Sequence, residues 1–320
     1  MKPDSGRMLK LLYDMHNTRV NRCLEPQMKC SRRAIRAHSI QNSKVLDLLA
    51  QNGQLVAPIG RMDADAGFQV SFGLVGRNRA TTFEGLCAKH DREFFLDIDN
   101  QSIDPGNKKQ LFLLAYRAVI RELHATIQQA TKSQSGYIER VNLGLDPPDR
   151  PSEFGLHATA QIANSYNVYV YRTLFDKMLR EMRFGDLQHD VIELSVSSPT
   201  VACSSLFSMD SMQNKRDEVV KACINVIPLS VDRTMVLFSY HEDDAEQSRD
   251  YLVAMLKRND SDRKYQISKL ILNHCENFVI APGYYDEWSS SKRAILLNYF
   301  IRTAYHNDFG YDHDDLQLFK

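Results

Sequence analysis

The stretch "RCLEPQMKCSRRAIRAHSIQNS", residues 22–43, decides how the first third of the chain is read. Cys23 and Cys30 stand in charged, polar sequence, and His38 follows eight residues after Cys30. Thiols that pack as small hydrophobes favour apolar neighbours. This pair therefore reads as half of a metal site. The other half is "GLCAKHD", residues 85–91, where two residues separate Cys87 from His90. One tight turn can aim both side chains at a single ion. Zinc takes four thiolate and imidazole ligands, usually as two close pairs. Cys23, Cys30, Cys87 and His90 form such a set, with a first knuckle longer than usual because six residues separate its cysteines. Two other roles stay open for His38. It could replace Cys23 as a ligand, or hydrogen-bond a nearby carbonyl and order the turn.

The whole chain bounds the answer. Its 320 residues suffice for one large domain or two ordinary ones. A hydrophobic share of 43% with 25% charged residues argues against long disorder. The formal net charge is zero, yet residues 1–45 hold ten Lys and Arg against Asp4, Asp14 and Glu25. The stretch "HNDFGYDHDD", 306–315, is acidic. This asymmetry points to an anionic partner for the N-terminal region or to a solvated face. No secretory signal and no run of ~18 apolar residues is visible, so the expectation is a cytoplasmic protein without a membrane span. Six cysteines in a chain this long make no disulfide framework, and Cys203, Cys223 and Cys275 sit among apolar residues as buried thiols.

The coarse pattern is α+β. A short amphipathic helix is expected over 5–20, with Leu9, Leu12 and Met15 on one side, and another over 43–53 from Ser43 to Gly53. "QLVAPI" (54–59) and "GFQVSFGLVG" (67–76) read as paired strands. "KQLFLLAYRAVIRELHATIQQATK" (109–132) is the strongest helix, apolar almost all round and so buried. The Pro-rich "DPPDRPSEFG" (146–155) reads as a linker. A second long helix is expected over about 155–184, although "YNVYVY" (166–171) has strand-like composition. After residue 190, strands and helices are mixed. The expected organisation is a zinc module over 1–105, a helical region over 106–185 and an α+β domain over 186–320.

The cysteine pair, the histidine in "AHSIQNS" (37–43) and the Cys-x-x-His of "LCAKHD" (86–91) together resemble the HNH endonucleases and their treble-clef relatives. The resemblance covers residues 20–95. It implies a treble-clef-like zinc fold in which the two pairs hold structural zinc. It also implies His38 as the general base that activates water, and Asp91 as a ligand of a catalytic Mg or Mn ion. Arg32, Arg33 and Arg36 would then grip phosphates of a nucleic acid without reading its sequence. Glu93 and Asp97 are weaker metal candidates. By analogy, such a nuclease serves defence against foreign DNA. The chain departs from the family at Ala37, where an acidic residue is usual, and at Gln41, where proline is usual. These departures keep a second function in view: a non-catalytic protein, stapled by zinc, that binds a protein partner. No nucleotide loop, dinucleotide fingerprint or nucleophile elbow is present. His274, Cys275 and Glu276 adjoin, but neighbours along a chain point apart and form no dyad.

Overall fold

The computed structural model describes residues 10, 14–15, 17–63, 67–214, 218–256, 259–306, 308–309, 313 and 315–320. The helix expected over 5–20, including Leu9 and Leu12, falls largely outside the described residues, as do the turn at 64–66 and much of the acidic stretch 306–315. The fold is mixed α+β. Its elements are β1 (Ala37–His38), β2 (Gln54–Asp63), β3 (Gly67–Gly76), β4 (Thr82–Phe83), α1 (Ala88–Asn100), α2 (Lys108–Asn142), α3 (Glu153–Glu181), β5 (Gln188–Ser195), β6 (Val201–Gln213), β7 (Val219–Pro228), β8 (Arg233–Tyr240), α4 (Ala245–Leu256), α5 (Asp260–His274), β9 (Phe278–Ile280), α6 (Pro282–Asp286) and α7 (Ser290–His306). Among the described residues no helix is long and apolar enough to cross a membrane.

The chain divides into two compact units that interleave along the sequence. The first takes residues 1–37, 83–92 and 119–181. Its framework is the later part of α2 together with α3. The Pro-rich stretch at 146–155 joins these two helices within one unit. Arg140 clasps Asp146 there and lies over the Phe154 ring. The composition of "YNVYVY" does not interrupt α3, because Val168, Tyr171, Phe175 and Met178 bury one helical face. That burial outweighs the local strand preference. An extended N-terminal segment lies along α2, with the Val20 backbone held by Gln128 and by His124 at 2.9 Å each.

The second unit takes residues 38–82, 93–118 and 182–320. It contains a seven-stranded sheet in the order β3-β2-β9-β6-β7-β8-β5, with every pairing antiparallel. The runs of β7 and β8 are almost continuously buried, so both faces of the central sheet are covered. On one face Ala222, Ile224, Val226, Val236 and Phe238 join the core shared with α4, α5 and α7. On the other, the Cys223 thiol meets the Ala115 carbonyl of α2 at 3.7 Å. Two details differ from the sequence reading. β6, the longest strand, was not expected, because Ser204, Ser205 and Ser208 break its apolar run. The helix expected over 43–53 is only a π-type turn, Asn42–Leu46, followed by Asp47–Leu49, because Ala50 is extended.

Candidate metal centre

Cys23, Cys30, Cys87 and His90 all belong to the first unit, and their ligand atoms lie within 4.8 Å of one another. They are close enough to bind one metal ion such as zinc. A tetrahedral ion with Zn–S of about 2.3 Å and Zn–N of about 2.0 Å needs S···S edges of about 3.8 Å and S···N edges of about 3.5 Å. The structure has Cys30 Sγ to Cys87 Sγ at 3.9 Å, Cys87 Sγ to His90 Nδ1 at 3.5 Å and Cys23 Sγ to His90 Nδ1 at 3.3 Å. These three edges match the ion in donor type and spacing. No disulfide competes, since all six cysteines are free.

Local chemistry explains how a seven-residue step closes on one ion. The Glu25 carboxylate accepts the backbone N–H groups of Gln27, Lys29 and Cys30 from inside the loop. Burial works against its ionisation, but these donors outweigh it and hold the carboxyl below its ordinary pKa. A turn from Glu25 to Met28 closes at 2.8 Å, with Met28 in the left-handed region at φ 54°. The loop is braced where Leu24 N–H donates to the Gly85 carbonyl and Ile35 N–H to the Leu86 carbonyl. Cys87 stands just before α1, and its carbonyl accepts from Asp91 N–H at 2.9 Å. Burial raises the Cys87 thiol pKa, yet donors that include the His90 N–H and the Cys23 thiol bring it below the ordinary value. Burial pushes Cys23 the other way, up to about 12.

Beneath the knuckle lies a residue the sequence did not disclose. Arg172 of α3 is fully buried. It donates to Asp176 at 3.0 Å and to the Leu24 carbonyl at 2.7 Å, and touches the Met28 sulfur at 3.5 Å. Only an unusual basic residue inside an otherwise uncharged run of α3 could have signalled it.

Arg32, Arg33 and Arg36 are exposed, and so are Arg22, Lys29, Lys89 and Arg92 of the same unit. Among the described residues none of these seven forms an ion pair. Asp91 is partly exposed on the first turn of α1. His38 belongs to the second unit and is not among the four clustered ligands. Its Nδ1 meets the Ala80 carbonyl at 3.0 Å, so that nitrogen carries the proton and Nε2 the lone pair. Burial lowers the His38 pKa, helped by the positive Arg117 and Arg77. The segment around it is clamped. Ser39 donates through N–H and Oγ to the Thr81 carbonyl, and Asn277 donates to Ser39 Oγ at 2.8 Å. Asn277 is 238 positions away in sequence and had no local signal. Among the described residues no second group of three His, Cys, Asp or Glu ligands forms.

No family model, curated protein or solved structure matches the chain.

Proposed function

We propose that the first unit carries a zinc-stapled, treble-clef-like module and that the protein is an HNH-like phosphodiesterase acting on nucleic acid. The observation that carries this reading is His38: neutral, held by its Nδ1 on a carbonyl, with Nε2 left as the base. Such a histidine is prepared to take a proton from water. Support also comes from element order. Along the chain, the first cysteine pair precedes the short strand bearing His38, and β4 leads into Cys87, just before α1, and His90 on its first turn. The unpaired cations Arg32, Arg33 and Arg36 suit phosphate oxygens. Asp91 is the carboxylate offered to Mg or Mn, which would stabilise charge on the departing oxygen. Reduced, metal-holding thiols fit a cytoplasmic setting, where defence against foreign nucleic acid is one use of such an enzyme.

The test is cleavage of supercoiled DNA, single-stranded DNA and RNA in Mg or Mn, comparing wild type with His38→Ala at equal zinc content. The expected result is a loss of about 100-fold or more in His38→Ala, the scale of a missing general base. No cleavage of any form by wild type, or equal cleavage by the variant, sinks the reading.

A second function, a non-catalytic zinc-stapled binder of a protein partner, is favoured by one specific observation. Apart from the four-ligand cluster, no group of three metal-binding side chains forms among the described residues. Ala37 in place of an acidic residue agrees with it. Zinc removal that abolishes partner capture while wild type cleaves nothing would select this reading.

A further inference from the structure

The outward face of α3 is unusual. From Phe154 to Tyr171, 18 consecutive residues include no Asp, Glu, Lys or Arg. The exposed hydrophobics are large: Leu156 at 61%, Ile162 at 44%, Tyr166 at 63% and Val170 at 40%. A surface helix normally carries charge on its outer side. The hydroxyls on this helix do not restore polarity. Thr159 donates to the Gly155 carbonyl, Ser165 to Ile162 and Thr173 to Val170, each folded back on its own backbone. Leu156, Thr159, Ala163, Tyr166, Val170 and Thr173 follow one another at steps of three and four. This is the spacing of a helix seam that packs against another helix.

We infer that this face of α3 is a homodimer interface, covered by α3 of a second copy of the chain running antiparallel. Three features select that occupant. Charge comes first. Exposed Glu153 marks the start of the helix, and exposed Lys177 and Arg180 mark its end. Among the described residues none of the three forms an ion pair. Parallel pairing would set Glu153 beside Glu153 and Arg180 beside Arg180. Antiparallel pairing sets Glu153 of each copy beside Lys177 and Arg180 of the other, twice by symmetry. Shape comes second. With the two-fold axis between Ala163 and Tyr166, Tyr166 of each copy faces Ala163 of the other, Thr159 faces Val170 and Leu156 faces Thr173. Extent comes third. Twelve of the 18 positions between Leu156 and Thr173 are exposed. They extend over about five turns, roughly 27 Å of helix that a second helix can cover along the seam.

The experiment is light scattering coupled to size exclusion of the full chain at about 1 to 100 µM. Its variants are Tyr166→Glu, Glu153→Arg, Lys177→Glu/Arg180→Glu, and the combination of all three charge changes. Wild type is expected to run as a dimer, and Tyr166→Glu as a monomer with unchanged circular dichroism and zinc content. Each charge reversal alone is expected to weaken dimerisation tenfold or more, and the combination to restore it. A wild type that stays monomeric at the highest concentration overturns the inference. So does a dimer indifferent to Tyr166→Glu, or charge reversals that fail to compensate. A monomer that co-sediments with phosphatidylcholine vesicles would assign the face to lipid and also overturn it.

Discussion

In the unit formed by residues 1–37, 83–92 and 119–181, the largest fully buried side chain is an arginine. In the unit that holds the seven-stranded sheet, the fully buried side chains include Phe238, Phe278 and Phe300, packed with Val236, Ile224 and Leu270 in one continuous core. The second unit gains its order from apolar area removed from water, which needs no particular partner for each group. The first closes a long loop around polar groups: four metal donors, the Glu25 carboxylate and the Arg172–Asp176 pair. Buried polar groups stay in place only while every partner is present. The two units should therefore fail in different ways.

Metal removal has the largest expected effect. Structural zinc sites contribute about 10–16 kcal/mol of apparent binding energy. Treatment with a strong chelator, or Cys87→Ala, should abolish hydrogen-exchange protection at residues 21–37 and 83–92 while β6, β7 and β8 stay protected. Uniform loss across both units, or no loss anywhere, breaks the contrast.

Next in size is Asp176→Ala, which leaves the Arg172 charge buried without its carboxylate. That costs about 3–5 kcal/mol in comparable buried pairs. Urea unfolding followed in the first unit, with zinc affinity measured alongside, should show both falling. A change below 1 kcal/mol would mean that Arg172 does not anchor the knuckle.

The smallest effect belongs to the sheet unit. His189 is pushed down to about 4 by burial, then by positive Lys108, against the opposing Asp190. Its Nδ1 meets Ser239 Oγ at 2.8 Å, and its buried Nε2 has no hydrogen-bond partner. Unfolding returns the ring to its ordinary value near 6.5, so the unfolded chain binds the extra proton between those two pH values. The stability contributed by a neutral His189 is thus full above about pH 6.5 and is lost as pH falls toward 4. Between pH 7 and 4.5 the loss should be on the order of 2 kcal/mol. His189→Gln should flatten that slope in urea titrations, and an unchanged slope would remove His189 as its source.

The sequence alone announced the elements whose signal is local. β2 and β3, with their facing runs, appear where alternation and turn residues put them, and the buried helix expected over 109–132 lies within α2, Lys108–Asn142. The Cys and His pairs were legible because ligand type and short spacing are properties of a few adjacent residues. Tertiary structure decided the rest. Whether Cys23 or His38 stood beside Cys30, Cys87 and His90 depended on how a loop of 57 positions between Cys30 and Cys87 returned. Glu25 became the organiser of the knuckle only when three N–H groups of its own loop turned inward. Arg172 and Asn277 act on segments 148 and 238 positions away, a relation no window of sequence contains. β6 hid behind its serines because its burial comes from β7 and β9 on either side and not from its own run. Local preference is written residue by residue. The satisfaction of buried polar groups is a property of the closed chain.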